Sequence, residues 1–96
     1  MNDDLTDLIE QLKKAADGDS LDEEFVGRLR WQTSDKLLNK LATTSWLRLK
    51  NFIDDDDIRS RDSEYDTKMK AEMRWRSEEL AEIGKGNDPY GRRKAR

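Results

Sequence analysis

The sequence contains neither cysteine nor histidine, and only one of its 96 residues is proline. Without cysteine, the chain has no disulfide framework and no thiolate metal site. Without histidine, it lacks the commonest general base and the commonest metal ligand. A glycine-rich phosphate-binding loop is missing as well. We therefore expect a protein that is not an enzyme and that uses no cofactor.

Long apolar runs are also missing, so the sequence predicts no membrane span. The first residues, MNDDLTDL, are acidic, whereas a secretory signal peptide begins with basic residues and continues with an apolar stretch. Both features are typical of a cytoplasmic protein.

Charged residues are abundant in place of apolar ones, at 43% of the chain with a net charge of -3. Leu, Ile, Val and Phe together make up only 18 of the 96 residues. Because the two signs are nearly balanced, the charges can pair along helix surfaces instead of expanding the chain. No stretch shows the alternation of a strand. We predict an all-α fold, a small bundle of about four helices.

The apolar spacing places these helices at residues 4–17, 21–31, 34–53 and 58–83, within one domain over residues 1–84. In the first helix, Leu5, Leu8, Ile9 and Leu12 form a single stripe, and Gly18 supplies the stop. The last helix is long and charged, and a basic flexible tail over residues 85–96 follows it.

The second helix is predicted to open with a capping box between Ser20 and Glu23. Its core face would then consist of Leu21, Phe25 and Leu29.

The third helix, capped by Thr33 or Ser34, carries the broadest apolar face of the chain and includes Trp46 among its core positions. Leu47 lies on the opposite face, where a polar residue is the norm. A second contact is expected there.

The aspartate run 54–57 ends the third helix and favours the start of the next one. A calcium loop beginning at Asp54 would need glycine at its sixth position, where this chain has Arg59. We therefore interpret the run as a solvated helix start, and we expect no metal site.

The last helix carries a narrow apolar seam. Its members are Ile58, Tyr65, Met69, Met73, Leu80 and Ile83, of which the last five would form a contact between copies. Such a seam either docks on the other three helices or pairs with a second copy in a homodimer.

Trp31 and Trp75 fall outside the apolar stripes of their helices, and each has arginines beside it. Tryptophan and arginine are enriched at binding hot spots, which favours a protein partner; the alternative is that both rings cover the edge of a thin core. The predicted protein-binding residues are Trp31, Leu47, Trp75, Arg74 and Arg76. Such a module would act as a small regulator, inhibitor or assembly subunit, and self-assembly is a further alternative.

A second class of function, nucleic-acid binding, follows if the third helix is broken at residues 42–44 into a helix-turn-helix. Thr44, Ser45, Arg48 and Lys50 would then contact bases and phosphates. The basic tail would add phosphate contacts through Arg92, Arg93, Lys94 and Arg96. One uninterrupted apolar face over residues 38–53 favours a continuous helix instead.

Overall fold

The computed structural model describes residues 3–85, which form five helices and no strand. The helices are α1 (Asp3–Asp17), α2 (Glu23–Gly27), α3 (Lys36–Asp54), α4 (Asp56–Arg61) and α5 (Ser63–Gly84). The all-α prediction is thereby confirmed. Apart from Lys85, the predicted basic tail lies outside the described residues.

The three long helices α1, α3 and α5 supply most of the buried apolar side chains, and α5 packs against both of the others. Contacts join Asp55 to Tyr65 at one end of the α3–α5 pair and Ser45 to Arg76 further along, so these helices are antiparallel. In the predicted stripe of α1, the three leucines are buried in this core and Ile9 packs against it, partly buried. Among residues 3–85, no helix combines the length and the apolar character needed to cross a membrane.

Helix α2 is shorter than predicted and begins at a different residue. The carboxylate of Asp22 accepts hydrogen bonds from the backbone N–H groups of Glu24 and Phe25, at 3.0 and 3.2 Å. The cap is therefore Asp22, and the predicted capping box is wrong. The helix ends at Gly27, whose flexible backbone disfavours a helix interior. Of the predicted core face, Leu29 is buried and Leu21 packs against the core, as expected. Phe25 instead remains 40% exposed, and Val26 is buried in this short helix, so the prediction is wrong at Phe25 alone.

Helix α3 is continuous, but it begins at Lys36 with Asp35 as its cap. The Asp35 carboxylate accepts a hydrogen bond from the N–H of Leu38 at 3.1 Å. The hydroxyl of Thr33 accepts one from the N–H of Asp35 at 3.1 Å, so Thr33 supports the cap without being it.

The predicted last helix is two helices, α4 and α5, separated at Asp62. Asp62 has an extended backbone, with φ -132° and ψ 96°, and its carboxylate accepts a hydrogen bond from the N–H of Tyr65 at 3.1 Å. An aspartate that caps a new helix N-terminus competes with continuation of the preceding one. The break therefore has a local cause.

Arg59 of α4 folds back on the C-terminal end of α3. Its guanidinium lies 3.5 Å from the centroid of the Phe52 ring and donates to the Phe52 carbonyl oxygen at 2.7 and 3.1 Å. It also donates to the Asp66 carboxylate at 3.1 Å. A cation at a helix C-terminus interacts favourably with the helix dipole, which offsets the neighbouring aspartates.

The apolar seam of α5 is buried inside the chain. Met69, Met73, Leu80 and Ile83 belong to the core, and Tyr65 packs against it. From Tyr65 to Ile83 the seam therefore docks on the other helices of the chain, which is the first of the two arrangements predicted for it. Ile58, its predicted first member, is instead 45% exposed on α4. Glu79, expected on an exposed face like the other acidic residues, is buried as well.

Candidate functional site

Helices α3 and α5 are joined by a charged group that we call the Glu72 cluster, consisting of Arg48, Glu72, Arg76 and Ser45. The Arg48 guanidinium donates to both carboxylate oxygens of Glu72, at 2.8 and 3.0 Å. The Nε of Arg76 donates to the same carboxylate at 2.8 Å, and its Nη1 lies 3.5 Å from the Ser45 hydroxyl. A bidentate arginine contact fixes the relative position of the two helices.

The charges in this cluster stabilise one another. The hydrogen bond from Arg48 is the largest cause that lowers the pKa of Glu72 below its ordinary value; partial burial opposes the shift, and the hydrogen bond from Arg76 adds to it. The same contact with Glu72 raises the pKa of Arg48. These contacts therefore favour the charged forms of Glu72 and Arg48, and both arginines of the cluster are already paired with a carboxylate.

Two large apolar side chains remain exposed on the two helices that the Glu72 cluster joins. Leu47 of α3 is 49% exposed, and Trp75 of α5 is 39% exposed. Because Arg48 pairs with Glu72 and Ser45 lies opposite Arg76, Leu47 and Trp75 lie at nearly the same level along the antiparallel pair. We call Leu47 and Trp75, together with the Glu72 cluster that joins their two helices, the α3–α5 surface.

The arginines around Trp75 have contacts of their own. The Arg76 guanidinium lies 4.6 Å from the centroid of the Trp75 ring, which couples the indole to the Glu72 cluster. Arg74 instead forms an ion pair with Asp17 at 3.0 Å, at the end of α1. Of the two arginines next to Trp75 in the sequence, Arg76 therefore contacts its ring and Arg74 contacts α1.

Trp31 does not join the α3–α5 surface. It is half-buried beside Trp46, with ring centroids 6.0 Å apart and an interplanar angle of 74°, and its indole N–H donates to Asn39 at 2.9 Å. Trp46 is partly buried against the core, and its indole N–H donates to the Val26 carbonyl oxygen at 2.8 Å. The ring of Trp31 therefore covers the edge of the core, which is the second of the two interpretations above.

The helix-turn-helix interpretation is wrong, because α3 runs without a turn through residues 42–44. Ser45 is 0% exposed and Arg48 is held by Glu72, so neither side chain can reach a base. Thr44 and Lys50 are exposed, but the Lys50 ammonium lies 4.5 Å from the centroid of the Trp46 ring. The other residues of that prediction, Arg92, Arg93, Lys94 and Arg96, lie outside the described residues.

Sequence reasoning missed Glu72, although its spacing of four residues from Arg76 is that of a stabilising helix pair. The contact with Arg48 had no such signal, because it depends on how two helices meet. Two further exposed apolar residues, Phe25 at 40% and Ile58 at 45%, lie on α2 and α4.

A polar cleft of about 480 Å³ lies between the α1–α2 loop and the junction of α3 with α4. Its two cations, Arg59 and Lys70, both form ion pairs with Asp66, which leaves neither of them dedicated to a ligand. Within residues 3–85, no three acidic side chains are arranged to hold a metal ion.

Comparison of the chain with protein-family models, curated proteins and solved structures finds no match.

Proposed function

We propose that this protein is a non-enzymatic protein-binding module and that it engages its partner through the α3–α5 surface. The observation that carries the proposal is the exposure of Leu47 and Trp75 on two long helices held together by ion pairs. Tryptophan is one of the residue types on which binding energy concentrates at interfaces.

Rigidity of this surface supports the proposal. Side chains that are already held in place lose less conformational entropy when a partner binds. Here the Glu72 cluster fixes α3 against α5, and Arg76 is stacked against the Trp75 ring.

The test is affinity capture from the native host, quantified by mass spectrometry, with a variant that combines Leu47→Ala and Trp75→Ala. The matched control combines Phe25→Ala and Ile58→Ala, because these residues are exposed to a similar degree on other helices. We expect the first variant to lose a protein that the wild type and the control variant both retain.

Circular dichroism and thermal melting check that both variants remain folded. Equal capture by all three proteins, or no specific partner of the wild type, would overturn the proposal. If only the control variant loses the captured protein, the interface lies on α2 and α4 and the proposal is wrong.

A further inference from the structure

A second surface lies on the other flank of α3, where the segment after α2 crosses it. A groove of about 280 Å³ is lined there by Leu29, Arg30, Trp31, Asn39 and Trp46. We call it the tryptophan groove. Its size is below that of a pocket for a typical small ligand, so it suits a side chain presented by a polypeptide.

Arg30 differs from the other arginines of residues 3–85. Each of the other six forms an ion pair with a carboxylate, whereas Arg30 has no carboxylate partner among the described residues. Its Nη1 donates to the backbone carbonyl oxygens of Leu29 and Gly27, at 2.6 and 3.3 Å. These contacts hold an exposed guanidinium beside the groove and leave its charge unneutralised.

A second cation lies on the same side of α3. The Lys50 ammonium is placed over the Trp46 ring and forms no ion pair within residues 3–85. Of the two cations, only Arg30 lines the groove, and an apolar groove with an unpaired guanidinium in its wall is complementary to an anion that is attached to an apolar group.

We propose that the tryptophan groove binds an acidic segment of a partner protein, in which an apolar side chain enters the groove and an adjacent carboxylate pairs with Arg30. The planar guanidinium can bind a carboxylate through two parallel hydrogen bonds. This site is separate from the α3–α5 surface and does not depend on it.

A nucleic acid fits this groove less well than a peptide does. Lys50 lies over the Trp46 ring and Trp31 meets that ring at 74°, so a base has little open face of Trp46 on which to stack. Residues 1–84 also carry a net charge of -7, which repels a polyanion more strongly than a short peptide.

The test is selection from a random library of displayed dodecapeptides on the full chain, followed by affinity measurement for the enriched sequences. We expect enrichment of Asp or Glu next to an apolar residue. Arg30→Gln should weaken binding about tenfold or more, because it removes a charged hydrogen-bonding partner. Arg28→Gln is the matched control, since Arg28 lies two residues away and is already paired with Glu24; we expect it to bind as the wild type does.

Three results would overturn the proposal: no enrichment over an unrelated protein, enriched peptides without acidic residues, or equal affinity for the wild type and Arg30→Gln. A fourth would be Arg30-dependent binding of a twelve-nucleotide oligothymidine that exceeds binding of every selected peptide. Trp75→Ala should leave peptide binding unchanged, so failure here and failure of the α3–α5 proposal can be told apart.

Discussion

The two flanks of α3 pack against their neighbours through different interactions, ion pairs on one flank and aromatic contacts on the other. On the flank that meets α5, the Glu72 cluster neutralises its charges within the chain. On the flank that meets the segment after α2, Trp31 and Trp46 pack edge to face, and the nearby cations Arg30 and Lys50 have no carboxylate among residues 3–85. Charges that pair within the fold are unavailable to a ligand. Where aromatic rings provide the packing, the neighbouring cations remain able to pair with a ligand's carboxylate.

Among substitutions on the two flanks, the largest expected effect is that of Trp46→Ala on the aromatic flank, which should lower the free energy of unfolding by about 3 kcal/mol. The substitution removes a large ring that packs against the core and the hydrogen bond from its N–H to the Val26 carbonyl oxygen. Urea unfolding followed by circular dichroism measures the loss.

Trp46→Phe is the control, because it keeps an aromatic ring and removes the N–H. We expect a smaller loss of about 1 kcal/mol. If both variants unfold like the wild type, Trp46 does not hold α2 against α3.

On the charged flank, Glu72→Gln should lower the free energy of unfolding by roughly 1–2 kcal/mol at neutral pH. The change leaves Arg48 and Arg76 partly buried without their carboxylate. The effect lies between those of surface and buried ion pairs because Arg48 is partly exposed to solvent. Urea unfolding at neutral pH provides the measurement.

The stabilisation that Glu72 provides should depend on pH. Because the pKa of Glu72 is lower in the folded chain than its ordinary value of 4.5, its stabilisation is present above that value. It is lost as the pH falls through the lowered folded pKa. The difference between wild type and Glu72→Gln should therefore shrink as the pH falls below 4.5, and a difference that stays constant in acid would contradict the assignment.

The smallest expected effect on stability is that of Trp75→Ala and Leu47→Ala, each within about 0.5 kcal/mol of the wild type. Both side chains are exposed and contribute little to the core. Leu49, by contrast, is fully buried on α3, and Leu49→Ala should lower the free energy of unfolding by about 2–5 kcal/mol. A large loss in Trp75→Ala or Leu47→Ala would assign that side chain a structural role.

The composition and apolar spacing predicted the all-α class, the bounds of α1 to within one residue, and the continuity of α3. These succeeded because a long apolar stripe identifies a helix whatever it packs against. The predicted start of α2 and the predicted single last helix are wrong, because Asp22 and Asp62 each cap a helix at a residue that the spacing did not indicate. Several residues near each position can cap, and spacing does not distinguish them.

For the candidate site, the sequence identified Leu47 and Trp75 as residues outside the apolar stripes of their helices, and both are exposed. It grouped Trp31 with them, although Trp31 lies on the other flank of α3. Nothing in the sequence was a reason to select Arg30, because Arg30 differs from the other arginines only in having no carboxylate partner within residues 3–85 of the folded chain.

Local side-chain chemistry along the chain thus determined that this protein is helical, rich in paired charges and short of core-forming residues. Tertiary structure alone decided which tryptophan meets which helix, and which arginine keeps its charge unneutralised. The physical reason is that helical periodicity is set by neighbours three and four residues apart, whereas ion pairs and ring contacts between helices depend on distances that folding creates.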